Sequence, residues 1–481
     1  MPEENQSSPQ LNPVSPTIPP VEVYSQVGSV PSFGAETSPP TTPPKPKKGF
    51  PKILLILFAV LILAAVAFFV IPKFLGEGGK GETTITWWGL WEDSSVVSPL
   101  IAEYEAQNPK VKIEYVKQSQ QDYRERLTNA LAKGTGPDIF RFHNSWVPMF
   151  KNELDFVPSS VMSASEYAQS FYPVASSDLT SGTGLVGVPL EYDGLVLYIN
   201  EDIFSEEGKS IPTTWDNLRQ TALELTIKDD QGVITRSGVA LGRTENVDHW
   251  QEILALMMLQ NGVDLTRPTG KLAEDALKFF TIFSSTDAVW DASLPPSTVA
   301  FAAGKAAMYF GPSWRAFEIR QQNPNLKFKT APMPQLPKTS SSEPDMVYAT
   351  YWAEGVWSRS QNKEEAWKFL KFISSKESLG KMYQNASKVR LFGEPYPRVD
   401  MADLLKDDPI LGAVVAGAAD AESWFLASRT FDGITGINSQ IGKYFEDAVN
   451  SVNAGNPADK ALETVAQGVS QVLSQYGLTT Q

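Results

Sequence analysis

The longest unbroken apolar run in the chain is ILLILFAVLILAAVAFFVI at residues 53–71, about 19 uncharged residues and long enough to cross a hydrocarbon core as a helix. Lys45, Lys47, Lys48 and Lys52 precede it, against Lys73 and Lys80 soon after, which predicts a cytoplasmic N-terminus and an extracytoplasmic remainder. A cleavable signal peptide is the competing reading. Against it stand the length of the run, its late position and the absence of a small-x-small site at Pro72-Lys73-Phe74-Leu75. Residues 1–50, rich in Pro, Ser, Thr and Gln with little apolar periodicity, read as a disordered cytoplasmic tail. Residues 51–72 then form a transmembrane helix serving as signal anchor, and 73–82, glycine-rich, a flexible tether.

From Thr83 onward short β-type runs alternate with amphipathic helical ones, the pattern of an α/β domain with largely parallel sheet. Strands at 84–88, 111–116 and 138–142, with helices over 95–108 and 120–133, make a βαβαβ unit. Residues 184–190 and 195–200 are strand-like, and Thr213-Thr214-Trp215-Asp216 caps a helix reaching about 227. Helices follow at about 246–261, 271–284 and 297–303, then a strand at 306–310 and a helix after Pro312. Residues 346–357 are strand-like. Asn362-Lys363-Glu364-Glu365 has the form of a capping box opening the next helix, and the chain closes in a long helical pattern from about 458 to 476.

At 481 residues, more than one folding unit is expected. A formal charge of −14 argues against nucleic acid as a partner, because neutralising phosphates takes clustered Lys and Arg. The chain has no cysteine, which excludes disulfides, thiolate metal sites and lipid attachment to an N-terminal cysteine. His143 and His249, the two histidines, are far apart in sequence, so neither a transition-metal site nor a cofactor is expected.

The segment GLVGVPLEYDGLVLYINEDIF at 184–204, followed by IPTTWDNL at 211–218, resembles the extracellular solute-binding proteins of family 1, the maltose-binding-like sugar receptors of bacterial ABC importers. LTNALAKGTGPDIF at 127–140, AFAAGKAAMYFGPSW at 300–314 and the helix from Asn362 fall in the same order, so the likeness spans nearly everything from Thr83. It implies a two-lobed α/β periplasmic-binding-protein-like fold of type II, with a hinge and an interlobe cleft, here preceded by one transmembrane helix. One lobe is expected at about 83–193 plus 320–352, the other at about 194–319 plus 353–481.

A sugar offers apolar C–H faces rimmed by hydroxyls, so its receptor needs aromatic platforms with carboxylates, amides and Arg as hydrogen-bond partners. Trp91 and Glu92 follow the first strand, where open α/β sheets place ligands. Asn144 and Trp146, beside His143, follow the third strand, with a helix N-cap as the alternative for Asn144. Glu191, Tyr192 and Asp193 sit at the implied first crossing between lobes, or in a solvated turn. Trp314 matches the aromatic wall that the resemblance implies, with core packing as its rival role. Trp352 and Glu354, next to Tyr351, lie at the implied second crossing. Trp424 and Arg429 reach the cleft from the second lobe or serve in packing. Trp250 beside His249 is equally ambiguous.

The apolar run at 53–71 predicts membrane tethering with the domain extracytoplasmic, and the resemblance implies a solute receptor that is not an enzyme. It captures a mono- or oligosaccharide and delivers it to an ABC permease. The alternatives are a tethered sensor or adhesion receptor on the same fold and, further off, a glycoside-acting enzyme using paired carboxylates.

Overall fold

The computed structural model describes residues 82–338, 340 and 343–478. The tail at 1–50 and the helix at 53–71 lie outside the described residues. Among those described, no helix is long and apolar enough to cross a membrane. This corrects the expected architecture: the described residues form the two-lobed α/β domain with no transmembrane helix or signal anchor among them, and neither the membrane as a partner nor a single-pass localisation is retained.

Two five-stranded sheets organise the domain. Their strands in chain order are β1 (Thr83–Gly89), β2 (Val111–Lys117), β3 (Ile139–His143), β4 (Val188–Pro189), β5 (Val196–Asn200), β6 (Ile227–Lys228), β7 (Ile234–Val239), β8 (Ala306–Gly311), β9 (Phe328–Ala331) and β10 (Trp352–Val356). The first sheet runs β2-β1-β3-β10-β4 and the second β9-β5-β8-β7-β6. In the first, β1 is parallel to both β2 and β3, the βαβαβ unit read from the sequence, while β10 adds antiparallel to β3 and β4. In the second, β8 runs parallel to β7 and antiparallel to β5, which pairs antiparallel with β9.

Sheet membership runs against the expected division near 320–352. Phe328–Ala331 pairs within the second sheet, whereas Trp352–Val356 pairs within the first. A run of β-type residues states that a strand forms and not which edge accepts it, because that depends on partners far away in sequence. Helices Lys363–Ile373 and Lys376–Ala386 likewise pack with helix Ser94–Gln107 of the first lobe, while Ile437–Asn453 and Ala458–Gln475 pack with Lys271–Ser285 of the second.

Local signals locate most helices to within a few residues. Thr214 caps helix Trp215–Leu225 by accepting from the Asn217 N–H at 3.2 Å. Asn362 occupies the N-cap of Lys363–Ile373 but makes no side-chain cap bond. Its amide instead donates to the Thr84 carbonyl at 3.1 Å, so a tertiary tie to β1 displaces the expected capping box. Strand β7 carries Thr235, Arg236 and Ser237 among its apolar residues, and that polar run hides it from a periodicity reading. Helix Trp250–Gln260 is apolar on nearly every face, and Ile253, Leu254, Leu256 and Met258 are all fully buried. Each such side chain contributes roughly 1.5–3 kcal/mol to the core of the second lobe.

Candidate functional site

Three stretches of chain pass side by side between the sheets. Residues 190–195 lead from β4 to β5, and 332–351 lead back from β9 to β10. Gly194 bridges Ala349 antiparallel, the Leu195 N–H donates to the Tyr348 carbonyl at 2.9 Å, and the Thr350 N–H donates to the Asp193 carbonyl at 2.9 Å. Val347–Tyr348 pair in turn with Ala421–Glu422 in the third passage. Closeness here demands glycine: a Cβ on Gly194 would stand 2.6 Å from the Tyr348 carbonyl oxygen, a contact that real side chains do not make.

The tie between this hinge and the second lobe is Asp193. Its Oδ1 accepts from the N–H groups of Gly194 at 2.8 Å and Ser313 at 3.0 Å, and its Oδ2 accepts from Ser313 Oγ at 2.8 Å. Burial outweighs these bonds and pushes the carboxyl up to about 7.

A cavity of about 360 Å³ opens above the hinge, within the range of small-molecule sites. Trp91, Trp352 and Phe431 form one aromatic wall, with ring centroids 5.5 Å apart for Trp91–Trp352 and 6.0 Å for Trp91–Phe431. Trp314 faces the cavity from the second lobe, half-buried between two guanidiniums. Arg315 lies 4.6 Å and Arg429 5.6 Å from its ring, and His249 meets its edge at 5.5 Å. Both Trp314 and Arg429 line the cavity.

Two buried histidines are held in defined tautomers. Nδ1 of His143 takes the Ser145 N–H at 3.3 Å and Oγ at 2.7 Å, leaving Nε2–H for Thr350 Oγ1 at 3.1 Å. Burial pushes this imidazole down to about 3, so it is neutral. For His249, the Arg315 Nε–H donates to Nε2 at 2.8 Å, which places the ring proton on Nδ1, 3.0 Å from Ser428 Oγ. Ser428 Oγ donates onward to Glu252 Oε1 at 2.8 Å. Burial pushes Glu252 up, but hydrogen bonding on the His249 side and from the Ser428 N–H outweighs it and holds the carboxyl below its ordinary value. Glu252 thus lines the cavity as a carboxylate with its Oε2 unpartnered among the described residues.

Behind the first-lobe wall lies a buried ion network. Arg141 on β3 sends Nη1 to Glu92 Oε2 at 2.7 Å, and Nη2 and Nε to Glu354 Oε1 at 2.7 and 2.8 Å. Burial pushes Glu92 up, yet the charge and hydrogen bond of Arg141 hold it below the usual range. Burial also raises Glu354, and there Arg141 does not fully compensate.

Of the residues singled out in the sequence, Trp91, Glu191, Asp193, Trp314, Trp352 and Arg429 meet at the cavity. The other six stand elsewhere. Glu92 and Glu354 each give one carboxylate oxygen to Arg141 behind the aromatic wall, and Trp146 is wholly buried against Phe150 and Tyr123. Asn144 donates to Asp178 at 2.8 Å, Tyr192 packs on Tyr172 and Tyr351, and Trp424 packs on Phe425 and Phe445. The cavity also recruits Lys117, Gln120, Glu252, Arg390 and Glu394, which the sequence did not single out. A carboxylate inside the apolar helix 250–260 was the one available signal, since a charge there needs a buried partner or a ligand.

Two α/β lobes, three adjacent passages and an aromatic, charged cavity between them define a hinged two-lobed binding protein. The chain belongs to the bacterial extracellular solute-binding protein family, which it matches over residues 88–379; this is a family of solute-binding transport proteins, not of catalysts. It is 23% identical over 315 residues to a multiple sugar-binding protein of Streptococcus mutans, covering 61% of this chain and 71% of the relative. It is 22% identical over 312 residues to a maltotriose-binding protein of Pyrococcus abyssi, covering 62% and 64%. Its fold is similar to that of the sugar-binding protein MalE from Xanthomonas citri, with a TM-score of 0.66 at 20% identity over 82% of this chain and 98% of that one.

Proposed function

We propose that the chain captures a carbohydrate in the cavity between its lobes and presents it to an ABC importer. The observation that carries this reading is the composition of the cavity: indole faces of Trp91, Trp314 and Trp352 stand beside carboxylates and guanidiniums at Glu191, Glu252, Arg390 and Arg429. Flat rings match the C–H faces of a pyranose, and charged planar groups match its vicinal hydroxyls bidentately. Sugar-binding relatives and neighbours support the same class. Contacts from both lobes favour the closed arrangement over the open one, which is how occupancy becomes a signal for the importer.

The test is thermal unfolding of the purified chain against a panel of neutral and charged mono- and oligosaccharides. A ligand at a hundred times its dissociation constant adds roughly 2.7 kcal/mol and raises the midpoint. A flat response across the whole panel overturns the reading.

A further inference from the structure

Glu191, Glu394 and Arg390 line the first-lobe end of the cavity, and Glu92 and Glu354 stand directly behind them around the Arg141 guanidinium. Arg390 stands 2.7 Å from Glu394, and Glu191 feels Glu394, Arg141, Glu92 and Arg390 together. Four carboxyl groups thus share two guanidiniums. One oxygen each of Glu92, Glu191 and Glu394 lies within 4.8 Å of the others. Glu92 gives Oε2 to Arg141, while its Oε1, fully buried, has no partner among the described residues. Glu191, 6% exposed, faces the cavity, and no protein donor reaches its carboxylate among the described residues.

We propose that Glu92, Glu191 and Glu394 form a cation subsite that receives the protonated amine of the bound solute, so that the sugar class is an amino sugar with a free amine. This rests on the carbohydrate reading above. An ammonium donating three hydrogen bonds of charge-assisted length holds its acceptors roughly 4.6 Å apart, compatible with three oxygens that lie within 4.8 Å of one another. Glu191 and Glu394 open onto the solute cavity, so the cation arrives attached to the sugar. The guanidinium of Arg390 beside Glu394 favours a singly charged guest over a divalent ion.

Burial and the charge of Glu394 push the Glu191 carboxyl well above its ordinary range, and an ammonium arriving beside it draws it back down, so that binding is coupled to proton release. The charged groups acting on Glu191 are Glu394, Arg141, Glu92 and Arg390; Tyr115 adjoins Glu92, its hydroxyl donating to the Glu92 carbonyl at 2.8 Å.

The experiment is isothermal titration of the chain with matched mono- and disaccharides of the gluco, galacto and manno series, each as free amine, N-acetyl and hydroxyl forms. Calcium chloride alone is a further arm. In at least one series the amine form binds about tenfold or more tighter than both counterparts and releases protons, seen as a heat that depends on the buffer. Glu191→Gln and Glu394→Gln each bring that ratio toward one; should the buried variant not fold, Glu394→Gln on its half-buried loop carries the same test. Equal affinity for amine and hydroxyl forms, or a ratio that both variants leave untouched, overturns the subsite while the carbohydrate reading stands. Binding of no sugar at all overturns that reading and this one with it. Saturable calcium binding abolished by the same variants assigns the cluster to a metal and overturns the amine.

Discussion

The carboxylate of Asp193 holds Ser313 by two atoms, accepting from its N–H at 3.0 Å and its Oγ at 2.8 Å, and so joins the hinge to the loop that carries Trp314. Its carboxyl is pushed up to about 7 by burial, whereas an unfolded aspartate titrates near pH 3.9. Between those values the folded state binds more protons, so the Asp193 contribution is full below about pH 4 and is lost as pH rises through about 7. Asp193→Asn, which keeps shape and hydrogen-bonding capacity, removes that slope. Urea midpoints of both proteins from pH 4 to 8 check this, with a difference of a few kcal/mol at most across the window. Parallel curves would refute the assignment.

Trp314→Ala deletes a half-buried ring that packs with Arg315, Arg429 and His249 at the cavity. We expect solute affinity to fall roughly ten- to a hundredfold, with the unliganded melting temperature changing little. Calorimetry and unfolding of the same preparation separate the two effects. Unchanged affinity removes Trp314 from the site.

Arg141→Met leaves Glu92 and Glu354 facing each other in the first lobe without their shared cation. Breaking a buried network from one side costs about 3–5 kcal/mol. Chemical denaturation should show that loss at neutral pH and partial recovery under acid, where the stranded carboxyls protonate. A loss equal at both pH values would argue for a packing defect alone.

Gly194→Ala forces a methyl toward the Tyr348 carbonyl oxygen, 2.6 Å away, where two passages of the hinge lie together. The expected cost is about 1–3 kcal/mol in stability, with weaker solute binding because the passages no longer lie in register. Small-angle scattering with and without solute reads the hinge directly; closure identical to the parent protein would show that the passages tolerate separation.

The sequence by itself determined the βαβαβ start, the main helices and the α/β class, because period-2 and period-3.6 patterns and cap residues such as Thr214 act over a few neighbouring positions. It also marked the aromatic residues Trp91, Trp314 and Trp352, whose types suit a sugar wherever they lie. Tertiary structure alone decided which candidates face the cavity. Glu92 and Glu354 sit beside it in sequence terms, yet Arg141, 49 and 213 residues from them, draws both into the core. Glu252 looks like an interruption in an apolar helix until Ser428, 176 residues on, holds one of its oxygens and leaves the other without a partner among the described residues. Strand order, the pairing of the three hinge passages and the partners of buried charges are all contacts between residues distant along the chain, and no local pattern encodes them.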